Sequence, residues 1–146
     1  KLMETCPPEL KGRLKGLQLQ LMIVKERVEQ AAALIKATAD DKQASAEDMN
    51  ELAWTVYQMA SNPQSKVPKP VIAAAIATAE KAVAQEPKNA MVIDTLSHLV
   101  HLSGDLDRAI KLQEQAVANV GDAVPPQNAE QIRQFLDELK KEKSEK

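Results

Sequence analysis

Aromatic residues are nearly missing from this chain: its 146 residues include one Trp, one Tyr and one Phe. Strand sandwiches and barrels draw their cores from aromatic and β-branched side chains, so the shortage weighs against sheet. Glycine is also scarce, at four residues, and no segment alternates Val, Ile or Thr with polar residues. Apolar residues still make up 44% of the chain, enough for a single domain with a sizeable core. That core must come from Ala, Leu, Val and Ile, which suits helices in close contact. The expected class is all-α. Cysteine occurs once, at Cys6, which excludes an internal disulfide and a cysteine-based zinc site. Neither sign of charge prevails, with 19 basic and 21 acidic residues and a formal net charge of −2. The basic footprint of a nucleic-acid binder is therefore lacking. No apolar run approaches the ~20 residues of a membrane span. There is no G-x-S-x-G, no phosphate-cradling glycine loop and no H-E-x-x-H, so no catalytic residue, cofactor or enzymatic activity is predicted. The chain starts at Lys1 rather than at Met. We expect a part of a longer protein, with any targeting signal out of view.

What is present is helical periodicity. After a leader ending in Cys6-Pro7-Pro8, Leu10, Leu14, Leu17, Leu21, Val24, Val28, Ala31 and Ile35 step by alternating fours and threes. That heptad seam, uninterrupted by proline, predicts one long helix over residues 9–39, about 45 Å in length. Two uses are open for it: lying across the remaining helices to cover their exposed end, or pairing with a second copy as a homodimer. Ser45 and Asp48 form an S-x-x-D cap opening the next helix, which runs to about Ala60. A proline-bearing segment, SNPQSKVPKP over residues 61–70, then leads into an alanine-rich helix from Val71 to Gln85. Asn89 caps a helix over residues 90–102, Gly104 ends it, and Asp105 caps the next, to Asn119. Asn128 with Gln131 reads as the cap of a last helix whose Ile132, Phe135, Leu136 and Leu139 share one face. The lysine-rich tail from Lys140 is expected to fray.

Two stretches repeat. AIATAEKAVA, from Ala75, and AIKLQEQAVA, from Ala109, share six residues at an offset of 34. A helix–turn–helix unit of that length is the tetratricopeptide period, and the chain resembles this family. In the later unit Leu96, Ala109 and Ala116 fit the family's pattern, while Gln113 in the phenylalanine place and Gly121 in the proline place depart from it. In the earlier unit Leu52, Ala53, Val56, Ala75, Ala82 and Pro87 fit the same frame, with about ten extra residues between the two helices. The resemblance implies a superhelix of helix pairs. It has a long N-terminal helix (1–44), two divergent repeats (45–123) and a capping helix with a charged tail (124–146). A narrower similarity links ELAWTVY, DTLSHLV and GDLDRAIKLQEQAV to the helical tail of some bacterial thioredoxin-like thiol–disulfide oxidoreductases. That would imply a non-catalytic accessory or dimerisation tail in a periplasmic or secreted protein, although no Cys-x-x-Cys is present here.

In tetratricopeptide arrays the first helix of each pair lines a concave groove that holds a protein or peptide. Carried over, the groove comprises Glu47, Asn50, Glu51, Trp54, Tyr57 and Gln58 from one unit, and Met91, Asp94, Thr95, His98 and His101 from the next. Trp54 and Tyr57, three residues apart, form an aromatic ledge of the kind enriched at binding hot spots, or are drawn into the core. The lining is acidic, so a basic or amphipathic segment is the expected ligand and an anionic peptide tail is disfavoured. Asp94, His98 and His101 lie on one helical face as a conceivable zinc set. Three ligands spread over two turns of one helix converge poorly, and no metal site is expected.

Overall fold

The computed structural model describes the chain from Pro8 to Lys146, with side chains from Gly12 onward; Cys6, the leader and the side chains of Leu10 and Lys11 lie outside the described residues. Among the described residues there are seven helices and no strand: α1 (Pro8–Val24), α2 (Val28–Asp40), α3 (Ala46–Ser61), α4 (Lys69–Gln85), α5 (Ala90–Leu102), α6 (Leu106–Ala118) and α7 (Pro126–Glu145). The all-α class expected from composition is the class observed.

The single long helix is not. It breaks at Lys25-Glu26-Arg27, where Glu26 takes a left-handed φ of 56°, and α2 leaves in a new direction. A non-glycine residue in that region costs roughly 1–2 kcal/mol, so the break must gain packing elsewhere. It does: Leu19 and Ile23 from α1 and Ala31 and Ile35 from α2 all enter the same core. One straight helix of that length would overshoot the stack and strand one half of its apolar residues. The heptad seam splits accordingly, with Leu14, Leu17, Leu21 and Val24 exposed and Ala31 and Ile35 fully buried. Capping supports the starts of α3, α5 and α6 as expected. The Ser45 Oγ accepts from the Asp48 amide at 3.1 Å while the Ser45 amide donates to Asp48 Oδ2 at 2.9 Å. Asn89 Oδ1 accepts from the Met91 and Val92 amides, and Asp105 accepts from the Arg108 amide. Gly104 ends α5 with φ +93°, which glycine adopts at no steric cost.

The helices pack as successive pairs, α1 with α2, α3 with α4 and α5 with α6. Within one layer α3 lies between α1 and α5; in the other α2 lies against α4, and α7 closes on α6. Close approach is made by small residues: Ala75, Ala82, Ala109 and Ala116 are all fully buried. Where α1 meets α3 the small residues are glycines. A Cβ at Gly12 would run into the Glu51 carboxylate, whereas one at Gly16 would meet only Thr55 Oγ1 at 3.5 Å, an ordinary contact. Gly16→Ala should therefore keep the packing and gain helix propensity. Urea unfolding is expected to show stabilisation of about 0.5–1 kcal/mol; a loss of stability would mean that α1 sits closer to α3 than described.

Two expectations for the C-terminal helix are corrected. Asn128 does not cap α7, which begins at Pro126 after an extended Pro125 with no side-chain cap; proline's fixed φ suits the first helical position without one. The tail does not fray at Lys140 either, because α7 continues to Glu145. Ile132, Phe135 and Leu139 are buried along it, and its charged residues pair back onto α6 and α5. Lys140 reaches Glu114 at 2.9 Å, Lys143 reaches Asp107 at 2.6 Å, and Glu142 meets His101 at 2.7 Å. Exposed pairs contribute little singly; together they set the register of a helix already held by its apolar face.

Candidate functional site

Three helices present the same row to one trough. Glu47, Asn50, Glu51 and Trp54 on α3 stand at i, i+3, i+4 and i+7, and so do Met91, Asp94, Thr95 and His98 on α5. Asn128, Gln131, Ile132 and Phe135 repeat the spacing on α7. Such residues share one helical face, and the packing order turns the three faces toward a common cavity of about 450 Å³. Its lining comprises ten of these twelve residues, all but His98 and Phe135. Three carboxylates and no Lys or Arg contribute to it.

Asp94 is the most constrained of the three. It is 8% exposed, and its Oδ1 accepts from Gln113 Nε2 at 2.5 Å. The same Gln113 nitrogen donates to the Ile132 carbonyl at 2.9 Å, so one fully buried amide on α6 ties the α5 carboxylate to the backbone of α7. Burial pushes the Asp94 carboxyl up from its ordinary 3.8 to about 6, against the lowering effect of the Gln113 hydrogen bond. His98 lies 3.7 Å away through Nε2, beyond a hydrogen bond. Its imidazole is pushed down from 6.5 to about 4, first by burial and second by the nearby His101. Each group of the pair is thus drawn toward its neutral form, because taking charge out of water outweighs a contact of that length.

Below the cavity lies an aromatic cluster containing the chain's sole Trp, Tyr and Phe. The Trp54 and Tyr57 ring centres are 4.9 Å apart, Tyr57 and His98 are 4.5 Å apart, and His98 stacks on Phe135 at 3.6 Å with planes 17° apart. These rings join α3, α5 and α7 and fix the floor of the trough. Trp54 takes part in both ledge and packing: it is half-buried, lines the cavity and contacts Tyr57.

Of the residues expected in the groove, Asn50, Glu51, Trp54, Met91, Asp94 and Thr95 line the cavity. Tyr57 and His98 lie one turn further on, in the aromatic cluster. Two belong elsewhere: Gln58 is exposed outside the cavity, and His101 turns toward α7, where its Nε2 pairs with Glu142. Asp94, His98 and His101 consequently do not converge on one point, and among the described residues no three His, Cys, Asp or Glu side chains come together as a metal set. The α7 contribution (Asn128, Gln131, Ile132 and Phe135) was not anticipated, nor was Gln113. The signal for α7 was its own i, i+3, i+4, i+7 row carrying the one Phe. Asn50 Oδ1 is buried without a hydrogen-bond partner. The Thr95 hydroxyl, by contrast, is engaged by the Met91 carbonyl at 3.0 Å. No protein-family model and no curated protein matches this sequence. Among the described residues no helix is long and apolar enough to cross a membrane.

Proposed function

We propose that this chain is a tetratricopeptide-like interaction module whose trough between α3, α5 and α7 holds a basic, amphipathic segment of a partner protein. The observation that carries the reading is the threefold i, i+3, i+4, i+7 row around one cavity, with Glu47, Glu51 and Asp94 beside Trp54 and Met91. An apolar, aromatic floor with carboxylates along it matches Lys or Arg side chains whose stems lie on the ring while their charges meet the acids. The superhelical part of the reading is supported by the 34-residue offset of the buried alanines and by the pairwise packing order. The break at Glu26 adds a helix pair that sequence repetition did not reveal, giving three pairs and a closing helix, the number a stack of this kind needs.

Calorimetry with a synthetic amphipathic helix bearing Lys along its polar face tests the proposal. Binding is expected to weaken with added salt, since the charges are partly exposed. Glu51→Lys should cost at least tenfold, about 1.4 kcal/mol or more, and Trp54→Ala a similar factor. Equal affinity for a Glu-bearing version of the same helix, or binding unaffected by both substitutions, would overturn it.

A further inference from the structure

Asp94 is the deepest of the three carboxylates along the trough: it is 8% exposed, whereas Glu51 is half-buried and Glu47 exposed. A carboxylate so placed is ordinarily matched by a cation or by several N–H donors. Here Oδ1 takes a single bond, from the uncharged Gln113 amide. Among the described residues the one ion-pair contact of Asp94 is His98, whose Nε2 stands 3.7 Å from Oδ2, and burial keeps that imidazole neutral down to about pH 4. The surrounding helices bring no other cation to the cavity. α3 contributes Glu47 and Glu51, α6 contributes Gln113, and α7 contributes Asn128 and Gln131. On α4, Glu80 and Lys81 pair with Arg108 and Asp40, and His101 of α5 is turned to Glu142 of α7. The lysines and arginines of α6 and α7 are exposed.

Taking the trough as the binding site, we infer that Asp94 is the seat of one cationic head group of the bound segment, a Lys or Arg side chain, and that its carboxyl releases a proton to solvent as that group enters. A cation beside Oδ2 supplies the opposite charge that the chain itself leaves out, in a place with little water, where attraction is screened least. Glu47 and Glu51, nearer the rim, attract the segment without fixing which of its residues goes deepest. A dependence on pH follows from the same burial. In the free protein the carboxyl holds its proton up to about pH 6, because burial disfavours its charge. The head group binds the ionised form, so affinity is full above about pH 7 and falls as pH drops through about 6. The segment is captured at neutral pH and loosened in mild acid.

The probe is a Lys-bearing amphipathic helix made only of Leu, Ala, Gln and Lys, with both ends blocked, so that it has no group of its own titrating near neutrality. Calorimetry against the whole chain at constant ionic strength is expected to give about tenfold weaker binding at pH 5 than at pH 7. At pH 6, two buffers of different ionisation enthalpy should reveal the release of roughly half a proton per helix bound. Asp94→Asn should bind at least about tenfold more weakly at pH 7 and lose both the pH dependence and the proton release. The two wild-type measurements stand on their own if that variant folds poorly. Persistence of the pH dependence in Asp94→Asn would assign the proton to His98 or His101 and overturn the inference. Equal affinity at pH 5 and pH 7 would overturn it while leaving the trough as the binding site. Absence of binding at either pH would remove the trough, and this inference with it.

Discussion

Ala109→Leu is expected to lose at least about 3 kcal/mol of folding stability, a large share of the ~5–15 kcal/mol that a domain has. Ala109 is fully buried where α6 meets α5, and its carbonyl accepts the Ser97 hydroxyl at 2.9 Å. Ser97 is itself fully buried, so two small residues face each other and the backbones approach closely. Three added carbon atoms have no cavity there to occupy. Overpacking costs about 1–3 kcal/mol in cores that can adjust, and separating α5 from α6 would also break the buried Ser97 hydrogen bond, leaving a stranded hydroxyl at roughly 1–3 kcal/mol more. Ala118→Leu, at an exposed position on the same helix, serves as the control and should change stability by less than about 0.5 kcal/mol. Urea midpoints of the two variants measure the difference. Equal midpoints would mean that the small residues are not what brings the helices together.

Asp94→Asn is expected to expose a pH dependence that the wild type conceals. The Asp94 carboxyl has a folded pKa of about 6, above its ordinary 3.8, so its contribution is fully present below about pH 3.8 and is lost as pH rises through 6. His98 behaves oppositely. With a folded pKa of about 4 against an ordinary 6.5, its contribution is present above about pH 6.5 and is lost as pH falls through 4. Between pH 4 and 6 the unfolded chain carries one proton on His98 and the folded chain carries one on Asp94. Folding then moves a proton from one to the other with little net uptake, and the pair leaves stability nearly flat. Asparagine removes the Asp94 half of the exchange. Relative to wild type, the variant should lose about 1.4 kcal/mol for each pH unit between 6 and 4. Above pH 7 it should be more stable than wild type, since a neutral amide replaces a carboxylate buried beside Gln113. The groups facing the pair, His101 with Glu142, are common to both proteins and cancel in the comparison. Parallel stability curves across that range would show that the two groups are more hydrated than their burial implies.

How much of this was legible in the sequence differs from element to element. Helix starts were readable because caps are local chemistry: Ser45 with Asp48, Asn89 and Asp105 each satisfy backbone donors within three residues. The four buried alanines were readable because a repeated close contact leaves a repeated small residue. The break at Glu26 was not, since it has no proline or glycine; it is a left-handed glutamate maintained by the core residues on either side. The start and length of α7 were misjudged for the same kind of reason, as a lysine-rich tail remains helical only through acids and a buried face contributed by other elements. Most α3 and α5 residues of the trough followed from periodicity, whereas the α7 wall depended on how the last helix turns back. Gln113 is the clearest case. A polar residue on an apolar face looks like a departure from pattern until Asp94 and the Ile132 carbonyl are seen on either side of it.

The most direct test of the trough is an amide-resolved NMR titration of the labelled chain with the Lys-bearing amphipathic helix. Saturable shifts should concentrate on Glu51, Trp54, Asp94 and Gln131, with the Trp54 indole among the largest. Shifts centred on α1, spread along α2 and α4, or absent at a helix excess sufficient for saturation would contradict the account.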